Sequence, residues 1–231
     1  YITIARSGYG YAQQAFFPMY PNLIAILNKL LGSFSIGAVL TSQVSFFVAL
    51  VFLRKLLIFD YPKFANWIVT ALLFFPTSFY FGIAYTEGLF LLLLVLSFYC
   101  ARIGKWWWAG IFGALASYTR LAGIFLLPAL AVEMWQQKKT RNVAPLLLIP
   151  LGLVCYMWYL WNSTGDPLAF IHVQKLFGQE RSDQLIMLYQ VFWRYIKMIW
   201  TMDRTAPLFL TIVFESSTAL LFLITSIWSF R

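Results

Sequence analysis

Six side chains in this sequence have the chemistry to act on a substrate. They are Arg120, Glu87, Tyr85, Asp166, His172 and Glu215. Arg120 is the most informative, because it stands alone inside the apolar stretch Trp106 to Trp135. A guanidinium in such a stretch is costly unless it is paired or faces a polar cavity. Its planar fork suits a phosphate, since two N–H groups can bond two phosphate oxygens. The plainer alternative is an arginine at a helix end that snorkels to lipid head groups. Glu87, in Tyr85-Thr86-Glu87, opens an apolar run where a carboxylate favours the helix dipole. It fits either that role or a polar partnership with Arg120 or an acceptor hydroxyl. Asp166 sits in the turn signature Gly165-Asp166-Pro167 and reads as a cap for a short helix starting at Pro167. His172, the single histidine, follows on that element. Glu215 falls midway along the last apolar run and needs a partner in protein or water.

The elements that must position these residues are membrane helices. The chain of 231 residues is 61% hydrophobic and 11% charged, against about 45–50% and about 25% in soluble domains. Runs near or above about 18 apolar residues mark an all-α, multi-span integral membrane protein. Spans are expected at about 36–53, 64–83 (interrupted at Pro76), 88–101, 143–161 and 206–228. The stretch 106–135 has basic residues at both ends: Arg102 and Lys105 before it, Lys138, Lys139 and Arg141 after it. It therefore reads as a hairpin that enters and returns, bringing the total to about seven spans. Each arm of about 15 residues reaches roughly 22 Å, short of a hydrocarbon core of about 30 Å. Arg120 then lies near the turn, at the floor of a crevice. Ala15–Gly32 is expected to carry an amphipathic interfacial helix after Pro21. Residues 162–205 read as a loop with helices of its own. The whole is expected to form one transmembrane domain.

Arg54, Lys55 and Lys63 join the two basic clusters and Arg231 on one side, which the positive-inside rule makes cytoplasmic. Residues 1–35, the Tyr85–Glu87 turn, the Arg120 turn and 162–205 fall on the other side. The net charge of +9 is thus explained by topology, and nucleic-acid binding is not expected. One histidine and two cysteines, Cys100 and Cys155, give no metal-ligand pattern, so neither metal nor cofactor is expected. The clusters Trp106–Trp108 and Trp158–Trp161 read as interfacial aromatic belts. No phosphate-binding glycine loop, Ser-His-Asp pattern or HExxH motif is present.

Four segments carry a resemblance. They are YITIARSGYG with QQAFFPMYPNLI, then LFFPTSFYFGIAYTEGLFLLL, then ASYTRLAGIFLLPAL, then GDPLAFIHVQKLFG. In this order and spacing the chain resembles the PIG-V-like mannosyltransferases, which include the second mannosyltransferase of GPI-anchor assembly and prokaryotic relatives. The resemblance implies an inverting membrane glycosyltransferase of the GT-C type. Its donor would be a polyprenyl- or dolichyl-phosphate sugar, and its acceptor a lipid or glycan, at the non-cytoplasmic face. The host membrane would be a bacterial or archaeal cell membrane, or the endoplasmic reticulum of a eukaryote. The resemblance further implies that the catalytic base is an acid in a Trp-Asp pair, expected just ahead of Tyr1 in a longer protein. Arg120 and Glu87 fall in the resembling blocks. Their roles as phosphate ligand and polar partner come from the physical argument above. A lipid-phosphate or secondary transporter, or a non-catalytic subunit of a glycosylation complex, is the alternative reading of the same charges.

The orientation is testable by labelling. In a background lacking Cys100 and Cys155, Ser7→Cys and Ser182→Cys should react with a membrane-impermeant maleimide from one and the same side of sealed vesicles. Reaction from opposite sides would reverse half of the topology.

Overall fold

The computed structural model describes residues 1–138, 143–177 and 187–229. Its helices are α1 (Ile2–Ser7), α2 (Met19–Leu31), α3 (Phe34–Asp60), α4 (Ala65–Phe74), α5 (Phe79–Gly82), α6 (Glu87–Arg102), α7 (Trp106–Thr119), α8 (Leu126–Gln136), α9 (Leu148–Thr164), α10 (Ala169–His172), α11 (Leu188–Thr201) and α12 (Pro207–Ser229). Short 3-10 turns fill Gln13–Ala15, Leu121–Phe125, Ala144–Leu147 and Val173–Phe177. Among the described residues there is no strand. The chain divides into two units, Tyr1–Gly178 and Gln179–Arg231.

Among the described residues, three helices are long and apolar enough to cross a membrane: Phe34–Asp60, Ala144–Thr164 with its leading turn, and Leu208–Thr225 within α12. The other expected spans, 64–83, 88–101 and the two arms of 106–135, fall on shorter helices. The run 64–83 is not one span: α4 stops at Phe74, and only the four-residue α5 follows. The cause is Pro76, which forces the residue before it out of the helical region. Phe75 accordingly has φ −65° and ψ 134°. The Ser78 hydroxyl then donates to the carbonyl of Leu72 in the last turn of α4, which also accepts the Phe75 N–H. The sixteen residues of α6 span about 24 Å and the fourteen of α7 about 21 Å. Neither matches a hydrocarbon core of about 30 Å.

In the first unit, α3, α6, α7 and α9 pack side by side in that order. Small residues set the spacing. A Cβ on Gly110 would run into the carbonyl of Pro145, one on Gly152 into that of Ala114, and one on Gly113 would lie 2.7 Å from Ile149 Cγ1. Positions 110, 113 and 114 therefore meet 145, 149 and 152 in increasing order, so α7 and α9 run parallel. Close backbone approach through small residues is the usual way apolar helices associate where lipid competes for every apolar face. The Ser97 hydroxyl, buried between α6 and α7, donates to the Ala109 carbonyl at 2.7 Å.

The chain reverses after α7. Arg120 is extended (φ −154°, ψ 146°). The following turn folds back so tightly that a Cβ on Gly123 would overlap the backbone of Ala116 and Ser117. Helix α8, with Pro128 tolerated in its first turn, then returns along α6. Its end reaches the end of α6: Gln137 Nε2 donates to the Ala101 carbonyl (3.3 Å), and Glu133 Oε1 lies 3.5 Å from Arg102 Nε. Thus both ends of 106–135 sit at one end of the bundle and Arg120 sits at the other. Asp60, at the end of α3, also pairs with Arg102. Arg54 Nε donates to Asn66 Oδ1 at 2.7 Å. Arg54 in the last turns of α3, Arg102 at the end of α6, and the connecting residues Lys63, Lys105 and Lys138 therefore gather at the Arg102 end. Lys139, Arg141, Ser182 and Arg231 lie outside the described residues.

The second unit contains α11 and α12. Gln190, Arg194, Lys197 and Thr201 line one face of α11 at helical spacing and are exposed. Tyr195 Oη donates to Glu215 Oε2 at 2.7 Å, so the mid-span carboxylate has a partner on a neighbouring helix.

The glycine seam makes a direct prediction. Gly152→Val should cost about 1–3 kcal/mol, the usual penalty of overpacking a close-packed contact. It should lower the unfolding midpoint in detergent, whereas Val154→Ala, on an exposed face of α9, should change it little. An unchanged midpoint for Gly152→Val would mean that α7 and α9 are not in backbone contact.

Candidate functional site

The N-terminus of α6 is fixed before any functional group is placed on it. A Cβ on Gly88 would fall 2.7 Å from the Ser42 carbonyl and 2.6 Å from that of Phe81. Only glycine lets α6 start this close to α3. Hydroxyl groups lock the same corner. Ser42 Oγ donates to the Tyr85 carbonyl at 2.8 Å. The Tyr20 hydroxyl lies 2.8 Å from the Ala38 carbonyl and 2.7 Å from Ser42 Oγ. Since the one Ser42 proton is given to Tyr85, the Tyr20 proton is shared between these two acceptors. Burial pushes the Tyr20 phenol up to about 12, so it stays a neutral donor. Tyr20 is fully buried; its local signal in the sequence was only an aromatic in Met19-Tyr20-Pro21.

On this corner stand Tyr85, Glu87 and, from the α7 turn, Arg120. Arg120 Nη1 donates to Glu87 Oε1 at 2.7 Å. The two side chains are 42% and 27% uncovered by protein, so the pair borders the surface rather than the core. The guanidinium carbon lies 5.7 Å from the centre of the Phe90 ring, one helical turn along α6 from Glu87. Glu87 Oε2 is turned into the protein and has no hydrogen-bond partner. Tyr85, two residues before Glu87, belongs to a row of aromatic rings. Tyr85 lies 6.0 Å from Tyr80 and 6.5 Å from Tyr1, and Tyr80 stacks on Phe79 at 4.2 Å.

Asp166 and His172 form a second group. Helix α9 ends at Gly165, whose φ of +77° is the left-handed conformation that stops a helix. Asp166 Oδ1 then accepts the Leu168 N–H at 2.9 Å, and Oδ2 lies 2.6 Å from His172 Nδ1. The short helix begins at Ala169, not at Pro167, because the Asp166 side chain closes its own turn two residues on before the helix starts. His172 first, and the Leu168 N–H second, hold the Asp166 carboxyl below the usual carboxylate range. Neither residue touches Arg120. They lie above a separate apolar cluster in which Phe17 packs on Tyr156 (4.8 Å) and Phe170 (5.5 Å). Tyr156 Oη donates to the carbonyls of Gln14 (2.7 Å) and Phe16 (3.2 Å), and Tyr9 Oη to that of Phe16 (2.6 Å). Burial raises the Tyr9 phenol far above its ordinary range. The segment 9–17 is thereby tied to α9 and α10.

A third polar group escaped notice in the sequence: Arg102 with Asp60 and Glu133, and Gln137 donating to Glu133 Oε1 at 2.7 Å. The available signal was Glu133 and Gln137 four residues apart, on one helix face. It closes the end of the bundle opposite Arg120. An apolar groove of ≈ 400 Å³ lies near that end, beside Asp60, and not at Arg120; Tyr61, Phe64, Trp67, Ile68 and Ala71 line it. The described residues hold no group of three or more His, Cys, Asp or Glu placed to bind a metal ion.

Fold and site together define a protein whose described residues are helical, with three helices long and apolar enough to cross a membrane and a half-covered arginine–carboxylate pair at one end of the first unit. Compared with known proteins, the chain matches no protein family, no curated protein and no solved structure.

The Asp166 contact has a pH signature. A carboxyl lowered in the folded state stabilises the turn above the ordinary aspartate range, and that contribution is lost as pH falls through the lowered value. His172→Phe should move the Asp166 titration, followed by the side-chain carboxyl carbon in NMR, upward toward the ordinary range. It should stop short of it, because the Leu168 N–H remains. A midpoint unmoved by the substitution would remove His172 from the pair.

Proposed function

We propose that this protein is a membrane glycosyltransferase that takes a sugar, mannose in the first instance, from a polyprenyl- or dolichyl-phosphate donor. The acceptor is a lipid-linked or glycan hydroxyl at the membrane face that bears the Glu87–Arg120 end. The single observation that carries this reading is the arginine itself. It sits at the turn between two helices too short to cross, at the end away from the Arg102 cluster, with one N–H given to Glu87 and, among the described residues, no other hydrogen-bond partner for its fork. The likeness of four segments to PIG-V-like mannosyltransferases supports the same chemistry.

The reaction is a displacement at the anomeric carbon. The acceptor oxygen forms the new glycosidic bond as its proton passes to a carboxylate base. The bond from the anomeric carbon to the phosphate oxygen breaks, and its electron pair stays on the phosphate. Arg120 donates to the phosphate oxygens and stabilises the charge that builds there as the bond breaks. The aromatic row of Tyr80 and Tyr85 offers flat apolar faces for a prenyl chain or a sugar ring.

The test is sugar transfer from polyprenyl-phosphate mannose by the full-length protein in proteoliposomes. Arg120→Ala should lower turnover by about 10²–10³, the range found when one preorganised donor to a developing negative charge is removed. Expression and unfolding midpoint should be retained. Arg120→Lys should recover little, because a point charge does not replace the fork. Near-normal transfer by Arg120→Ala would return the residue to head-group snorkelling.

A further inference from the structure

The way Glu87 holds Arg120 is asymmetric, and the asymmetry has a use. A free arginine and carboxylate prefer to meet fork to fork, with two parallel hydrogen bonds. Here only Glu87 Oε1 meets Arg120, through Nη1 at 2.7 Å, while Oε2 is buried in protein without a partner. The carboxylate is turned so that its second oxygen does not face the guanidinium. Two residues one turn apart on α6 therefore orient Arg120: Glu87 takes one corner of the fork, and Phe90 lies 5.7 Å from the guanidinium carbon. Glu87 is held in turn by Gly88, whose missing side chain lets α6 begin against the backbone of α3. Among the described residues, Nε and Nη2 of Arg120 have no protein partner, and the side chain is 42% uncovered.

We infer that Glu87 is the positioning residue of a phosphate site. It spends one N–H of Arg120 to fix the plane of the guanidinium and leaves Nε and Nη2, a pair able to bond a phosphate bidentately, for the ligand. The ligand class is a phosphate ester with an apolar tail. The fork takes two phosphate oxygens, while Phe79, Tyr80 and Tyr85, respectively 57%, 43% and 46% uncovered, give the tail an apolar wall. Inorganic phosphate has nothing to place on that wall. The inference rests on the phosphate role of Arg120 proposed above and adds to it the geometry that Glu87 imposes.

Four variants separate position from charge. Glu87→Gln removes the negative charge and keeps an oxygen acceptor at the same reach. Glu87→Ala removes both. Glu87→Asp keeps the charge and withdraws it by one methylene, about 1.5 Å. Arg120→Ala removes the ligand. The probes are farnesyl phosphate, farnesol and inorganic phosphate, titrated calorimetrically against the full-length protein in detergent, with the unfolding midpoint of each variant measured alongside. Farnesyl phosphate should bind wild type at least about tenfold more tightly than farnesol or inorganic phosphate, and Arg120→Ala should lose at least about tenfold, the scale of one charge-assisted contact. Glu87→Gln should bind within about threefold of wild type or more tightly, since a like charge has left the site. Glu87→Ala and Glu87→Asp should each lose about tenfold or more.

Equal behaviour of the Gln, Ala and Asp variants would overturn the positioning role and leave the phosphate site standing. If Glu87→Ala does not fold, the contrast between Gln and Asp decides the same point. Inorganic phosphate binding as tightly as farnesyl phosphate would overturn the ester-with-tail assignment. Failure of wild type to bind farnesyl phosphate, or undiminished binding by Arg120→Ala, would overturn both the inference and the phosphate reading beneath it.

Discussion

Helix α7 can only be where it is because backbone meets backbone along its length. Gly110 and Gly113 admit the 144–149 turn and the start of α9, and Gly152 of α9 admits Ala114 in return. At its far end Gly123 lets the chain fold back on Ala116 and Ser117. The other side of α7 is held by α6, with the buried Ser97 hydroxyl bonded across to Ala109. In a bilayer, an apolar side chain gains little by leaving lipid for protein. Dispersion from tight packing and a few buried hydrogen bonds must hold the helices together. A seam of glycines supplies the first, and Ser97, Ser42 and Tyr20 supply the second. Everything attached to α7, including the position of Arg120, follows from that seam.

The same seam explains why an arginine is tolerated in an apolar run. α7 is too short to carry Arg120 through a hydrocarbon core, and α8 turns back immediately. The residue is therefore left at the end of the bundle, where the N-terminus of α6 brings Glu87 to 2.7 Å. Partly uncovered pairs of this kind add little stability. The value of the contact lies in direction: it fixes where the remaining N–H groups point. At the opposite end, Arg102 joins Asp60 and Glu133. One arginine ties helices together, and the other, among the described residues, gives a single hydrogen bond from its fork.

How much of this was legible in the sequence depends on range. Patterns local in the chain read well. The apolar runs gave the long helices, Pro76 marked the break after Phe74, and Gly165-Asp166-Pro167 announced a turn. Counting spans went less well. Hydropathy measures how greasy a stretch is, and it does not register that 64–83 is cut into pieces of ten and four helical residues. The start of the short helix at Ala169 was missed because Asp166 could bond its backbone at more than one register.

What the sequence by itself determined is therefore the helical class, the placement of apolar runs between basic flanks, and a short list of polar residues that need partners. Those properties are set by residue type and by neighbours within a few positions. Which polar residues meet was decided only by the tertiary structure. Glu87 and Arg120 are 33 positions apart, and Tyr156 and Gln14 are 142 apart. Asp166 and His172, grouped with Arg120 by the sequence reading, form a pair of their own over a different aromatic cluster. Such pairings depend on how closely two helices approach, and that approach is set by the absence of side chains at Gly88, Gly110 and Gly152. A hydropathy pattern weighs the side chains present and has no term for the space left by those that are missing.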